Sequence, residues 1–428
     1  MTEKLLQFIW QFQYFHKGDL ATTAGEAVQV LFAGQYNSNQ GPDFSDAKIM
    51  IGKTTWAGNV ELHIKTSDWT KHNHQKDKNY NNVMLHVVWE DDGGRNSVPA
   101  NSTEQSAIVP VLELNGRVSK ILLDRYEELM KTVSFIPCEK TIQTVRDITW
   151  NSWKDRLLIE RLLRKAHIIE TYLKHNNYHW EEIGWWLLAK NFGMKVNAGA
   201  FESIAKSIPI SLLTKHKNQL HQVEALLLGQ AGLLEGKFTD DYPVMLQKEY
   251  KFYKNKYRLK PISSSVFFLR MRPGNFPTIR LAQLAMLVHV SAHLFSKIKD
   301  AKNIKDVKEW FDVRANDYWH YHYRFDEISS FKKKTLGAAM IDTIIINTVA
   351  PLLFAYGNYH KENNYKEKAL KWLEKISAES NSITKRFHQL GVENKNAFDS
   401  QALIELKNEY CHNKRCLECV VGNSILKV

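Results

Sequence analysis

The hydrophobic rhythm of this chain changes once, near residue 115, and a chain that changes rhythm in that way has to build two kinds of core. Before the change, apolar runs at 27–32, 47–51, 60–64 and 83–89 are short and bounded by Gly, Asn, Asp or Pro, the pattern of strands joined by turns. The polar stretch 67–82 between the last two runs has room for a short helix, so the strands include at least one crossover. After the change the period is helical. Leu158, Leu162, Ala166, Ile169 and Leu173 fall on one face while Arg156, Glu160, Arg164 and Lys165 lie elsewhere, and most of 145–410 looks α-helical. With 428 residues, 44% of them apolar, the chain can bury the cores of two or three domains. The expected organisation is α+β: an α/β module over 1–115, a connector over 116–145, and a large, basic, all-α domain over 146–428 closed by a C-terminal cysteine cluster.

The longest apolar stretch, 336–356, is interrupted by Asp342, Asn347 and Pro351. Spanning a bilayer would bury polar groups and a helix breaker, so a core helix and no membrane partner are expected. Residues 1–15 mix Glu3, Lys4 and three Gln with apolar residues and offer no small-residue cleavage site, so a cytoplasmic location is expected. The formal net charge is +12, yet residues 1–100 hold 9 Lys or Arg against 11 Asp or Glu, leaving 49 against 35 for the rest. A basic body beside a mildly acidic module suits a polyanion such as nucleic acid, or else is a solvated surface without a partner.

The acidic module carries the candidate chemistry. Asp43 precedes the run 47–51, and a turn leads to Val60-Glu61-Leu62-His63-Ile64-Lys65. Side chains alternate on a strand, so Glu61, His63 and Lys65 share one face, and Val60, Leu62 and Ile64 share the core face. A hairpin of this length brings Asp43 beside Glu61, and two adjacent carboxylates repel unless a cation such as Mg²⁺ or Mn²⁺ lies between them. Asp68, Trp69, His72, His74, Asp77, Tyr80 and His86 follow closely. That density of imidazole points toward Zn²⁺, Mn²⁺ or Fe²⁺ as alternatives. His72, His74 and Asp77 are secondary candidates; His86, inside an apolar run, reads as a satisfied core histidine, and Trp69 and Tyr80 read as packing residues.

The order Pro42-Asp43, hairpin, Glu61 resembles the PD-(D/E)XK nuclease superfamily, which implies a restriction-endonuclease-like module. The resemblance gives Asp43 and Glu61 a metal-ligand role in phosphodiester hydrolysis. His63 stands where that superfamily has Lys; histidine can act as base or third ligand there, and Lys65 can supply the missing cation. The alternatives are a degenerate site that binds nucleic acid without cutting it, and an interaction scaffold. On Asn37 to Phe44 (NSNQGPDF), Gly58 to His63 (GNVELH), 68–88, 270–285 (RMRPGNFPTIRLAQLA) and 410–422, the whole chain resembles a bacterial family catalogued as domain of unknown function 2851, which implies no activity.

Two further features stand outside that module. Cys411, Cys416 and Cys419 are spaced C-x4-C-x2-C, and the only other cysteine is Cys138. In a cytosolic chain four such cysteines read as a structural site for Zn²⁺ or a 4Fe-4S cluster; packed free thiols are the alternative. The arrangement resembles the iron-sulfur staples of some exonucleases, where one distant cysteine joins a C-terminal three. Arg270, Arg272 and Arg280 lead into a helix from Thr278; they can hold phosphates of a nucleic acid or pair with acids such as Glu224 or Glu235. Tyr250, Phe252, Tyr253, Tyr257 and the aromatics of 318–323 can stack bases but at helical spacing read as packing residues.

Overall fold

A computed structural model describes residues 1–37, 39–94, 96, 108–269 and 271–427. The chain forms two compact units. The first comprises Met1–Trp153, Arg386–Val392 and Ile404–Val428; the second comprises Lys154–Lys385 and Glu393–Leu403. These boundaries differ from a linear division at 115 and 145. The connector expected over 116–145 belongs to the first unit, and so does the cysteine-bearing C-terminus, which does not close the helical unit.

The first unit is built on one sheet of six strands. Helix α1 (Glu3–Phe12) starts at Thr2, whose hydroxyl accepts from Leu5 N–H at 3.2 Å, and buries Leu5, Leu6, Phe8, Ile9 and Trp10. The strands are β1 (Val28–Phe32), β2 (Gln35–Tyr36), β3 (Phe44–Ile51), β4 (Thr54–Lys65), β5 (Val83–Glu90) and β6 (Val111–Glu113), in the order β1-β3-β4-β5-β6 with β2 also on β3. Strands β3 and β4 form an antiparallel hairpin whose turn uses Gly52 at φ 59, a conformation that glycine adopts without a Cβ penalty. β4, β5 and β6 run parallel, and parallel neighbours require a connection that leaves one strand end and returns to the other. Between β4 and β5 that connection is α2 (Asp68–Lys71) followed by two short 3₁₀ turns, His74–Lys76 and Lys78–Tyr80. Central strands of this kind are covered on both sides, and β5 is buried from Val83 to Val88.

Helices α3 (Lys120–Lys131) and α4 (Asp147–His175) follow. In the second unit the described residues 154–385 and 393–403 are mainly helical, with isolated β-bridges and no extended sheet. The apolar stretch expected to be a core helix runs from Ala338 to Tyr359 through a π-helical segment, Ile345–Val349, and 72% of its most apolar window is buried. By length and apolar composition it could cross a membrane, as could the bent pair Pro277–Val290 and Leu294–Asp300 taken together.

Candidate metal centre

The register of the sheet brings Asp43 to Glu61. Phe44 pairs with Val60, so Asp43, one residue earlier, lies beside Glu61, one residue later. Asp43 N–H donates to Glu61 Oε2 at 3.0 Å, and Leu62 N–H donates to Asp43 Oδ2 at 3.2 Å. Gln7 of α1 donates its amide to Asp43 Oδ1 at 2.8 Å, a contact for which the sequence gives no signal. Burial pushes the Asp43 carboxyl up to about 7 and repulsion from Glu61 adds to it; burial pushes Glu61 up to about 8. A pair with its ionisation suppressed in this way is short of positive charge.

The imidazoles gather on the same side. His63 and Glu61 alternate on β4, but this face is not open: the connection over 66–82 covers it, leaving Glu61 5% and His63 1% exposed. His63 Nε2 faces His72 Nδ1 at 3.0 Å and His74 Nε2 at 3.2 Å. Glu61 Oε1 is 3.3 Å from His74 Nε2 and 3.5 Å from His63 Nε2. Among the described residues, His63, His72 and His74 alone form a group of three potential ligands with one ligand atom from each within 4.8 Å of the others. The local chain explains the convergence. Asn73 adopts the left-handed conformation at φ 62, which Asn tolerates better than most residues, and the residues on either side of it both face His63. Tyr80 stacks on the His74 ring with centroids 3.9 Å apart, and the fully buried Trp69 meets His74 and His86 at 5.4 and 5.0 Å.

A single imidazole nitrogen carries either one proton or one lone pair. His63 Nε2 has three polar neighbours, two of them ring nitrogens, and hydrogen bonding alone cannot satisfy them all. A cation can: a tetrahedral ion with bonds of about 2.0–2.1 Å sets its donors roughly 3.3 Å apart. His86 lies behind, its Nε2 2.9 Å from His63 Nδ1, the place of an orienting partner for a ligand histidine. Burial, with the neighbouring imidazoles, pushes His63 down to about 2 and His86 down to about 3, so the rings are neutral and their lone pairs available.

The other sequence candidates stand elsewhere. Lys65 is at the exposed end of β4, and its charge acts on Asp92. Asp77 caps the second 3₁₀ turn by accepting from Asn79 N–H at 2.9 Å. In the second unit Arg280 is buried, and its guanidinium donates to the neutral amides of Gln283 at 2.9 Å and Asn275 at 2.6 Å, while Glu224 accepts from Tyr242, Asn316 and Trp319. The expected Arg–Glu pairing at Arg280 is therefore not formed with Glu224. Arg272 is exposed, and Arg270 lies outside the described residues. Tyr250 and Tyr253 are buried packing residues and Phe252 is exposed.

No curated protein and no solved structure matches the chain. The sequence profile of the family described as protein of unknown function DUF2851 matches residues 3–382, and the chain belongs to that family.

Proposed function

We propose that His63, His72 and His74 hold a divalent transition-metal ion, zinc by preference, with the Glu61 carboxylate facing it, and that the centre hydrolyses phosphodiester bonds in nucleic acid. The observation that carries this reading is the set of separations, 3.0 to 3.5 Å, by which the ring nitrogens of His72 and His74 surround His63 Nε2 and Glu61 Oε1 borders the His63 and His74 nitrogens. Imidazole-rich sets favour zinc over magnesium. The phosphodiester assignment is supported by the Pro42-Asp43, hairpin, Glu61 order of the restriction-endonuclease-like nucleases and by the positive excess after residue 100. Held by these residues, a zinc ion would supply a water of lowered pKa and polarisation of a phosphoryl oxygen. His72 is the exposed member of the set and marks the side from which substrate arrives. Glu61 takes the proton of the attacking water, and Asp43, held by Gln7 and Leu62 N–H, keeps Glu61 in place through its own backbone N–H. Four unpaired cysteines agree with a reducing, cytoplasmic location.

A second reading is favoured by the burial of Glu61 and His63: Glu61 fills the fourth position and the ion is structural, leaving a nucleic-acid-binding or scaffolding protein. The test is cleavage of single- and double-stranded DNA and RNA by the metal-loaded protein, with chelator controls and Asp43→Ala, Glu61→Ala and His74→Ala variants. Metal-dependent cleavage lost in all three variants is the expected result. Stoichiometric zinc without cleavage of any substrate moves the assignment to the structural reading, and a protein that retains no zinc overturns both.

A further inference from the structure

The four cysteines share no residue with the histidine centre and lie in the same compact unit. Cys138 lies in the turn-rich segment after α3; Cys411 ends the π-helical segment Leu406–Cys411, Cys416 begins the short turn Cys416–Glu418, and Cys419 precedes the helix Val420–Leu426. All six sulfur pairs lie within electrostatic reach of one another. Cys138, Cys416 and Cys419 are buried, Cys411 is half-buried, and none forms a disulfide. Burial pushes the Cys138 and Cys416 thiols up to about 12 and Cys419 up to about 11.

What the sulfurs can hold depends on how far apart they are. A zinc ion bound by four thiolates at about 2.3 Å needs its sulfurs roughly 3.8 Å apart. No three of these sulfurs come within 4.8 Å of one another, so they are not set at the spacing of a zinc tetrathiolate. A cubane of four irons and four sulfides is the larger thiolate-bound group and holds its four sulfurs farther apart than one zinc ion does. The surroundings suit a sulfur cage that carries net negative charge. Val421 and Gly422 N–H and the Trp153 side chain hydrogen-bond the Cys419 sulfur, while Lys407 and Lys414 act electrostatically on Cys411 and Cys416. Hydrogen bonds to the sulfurs and nearby charge are the means by which a protein stabilises such clusters. At position 422 a Cβ would collide with the Cys416 carbonyl, so only glycine lets the last helix approach the Cys416 turn this closely.

We propose that Cys138, Cys411, Cys416 and Cys419 bind a 4Fe-4S cluster that fastens the C-terminal segment to the sheet-bearing unit. On binding, the four thiols release their protons and each sulfur bonds one iron. The same segment is also tied by Tyr14 O–H donating to Asn423 Oδ1 at 2.9 Å and by Arg125 donating to the Ile425 carbonyl at 3.2 Å. The cluster therefore strengthens an existing attachment.

The test uses the full chain purified without oxygen, or reconstituted with ferric iron, a thiol reductant and sulfide. Iron and acid-labile sulfide near four each per chain, with a broad visible absorption, are expected. Cys138→Ser and Cys416→Ser should lose the sulfide and the absorption. Should these variants fail to fold, wild type supplies the second measurement: exposure to air and chelator should bleach the absorption and selectively expose residues 404–427 to protease. Zinc at the histidines brings no sulfide, so the two centres are scored separately. Zinc on the cysteines without sulfide, or no sulfide after reconstitution, overturns the proposal.

Discussion

Replacing Glu61 with Gln should move the stability of this protein in opposite directions with and without metal. The metal-free protein buries the Glu61 carboxyl, which ionises near 4.5 ordinarily and near 8 in the fold. A group whose folded value is raised holds its proton in the fold where the unfolded chain has released it. Stability is therefore full below about pH 4.5 and is lost as pH rises toward 8, a loss of about 3 kcal/mol by pH 7. Glutamine keeps the shape and a carbonyl oxygen for Asp43 N–H but does not ionise. In chelator, Glu61→Gln should match wild type near pH 4 and exceed its unfolding free energy by up to about 3 kcal/mol at pH 7. In zinc the order should reverse. Loss of even an orienting partner costs about 10–100-fold in metal affinity, and loss of the anionic donor should cost at least that, or about 1.4–2.8 kcal/mol. Urea unfolding at several pH values in chelator and in zinc, with calorimetric zinc titration, reads both effects. If the variant and wild type unfold alike in chelator across the pH range, or if zinc stabilises both equally, Glu61 does not face a cation and the reasoning fails.

His86→Phe keeps a planar ring at a fully buried position but removes the nitrogen behind His63; zinc affinity should fall about 10–100-fold, and unchanged affinity would show that the His63–His86 contact does not orient a ligand. Glu224 is fully buried and pushed up to about 7 by burial, so it too contributes a stability loss as pH rises from about 4.5 to 7. Glu224→Gln should flatten that part of the melting-temperature profile, and a slope identical to wild type would count against it. At Gly229, packed on the Tyr250 ring, a Cβ would overlap the ring carbons; Gly229→Ala should cost about 1–3 kcal/mol through overpacking, read as a lower urea midpoint with zinc content unchanged, and a wild-type midpoint would contradict it.

The strands were legible because each apolar run sits between residues that turn the chain, and runs 27–32, 47–51, 60–64 and 83–89 each overlap a strand. Strands β2 and β6, two and three residues long, are too short to show a period. Helix α1 is amphipathic, with Gln7 and Gln11 a turn apart opposite the buried Leu5, Leu6, Phe8, Ile9 and Trp10, but its ten residues are few for a period to stand out beside a strand-rich region. Unit boundaries were least legible because periodicity is local. Read along the chain, only the cysteines tie 404–428 to the first third of the sequence, through Cys138; the contacts of Tyr14 with Asn423 and Arg125 with Ile425 leave no such signal.

The site repeats this contrast in a sharper form. The meeting of Asp43 and Glu61 follows from hairpin register, which sequence spacing can supply. The alternation of β4 also puts Glu61, His63 and Lys65 on one face, but alternation does not say what covers that face. The parallel pairing of β4 with β5 does: the chain must return over the sheet, and the returning segment here brings His72, Asn73 and His74. The face that carries Glu61 and His63 thus becomes the floor of a buried ring cluster beneath residues 66–82, while Lys65, beyond the covered part, stays exposed. A short polar connection between parallel strands should therefore be read for ligands together with the strand before it, because the crossover brings them to the same place.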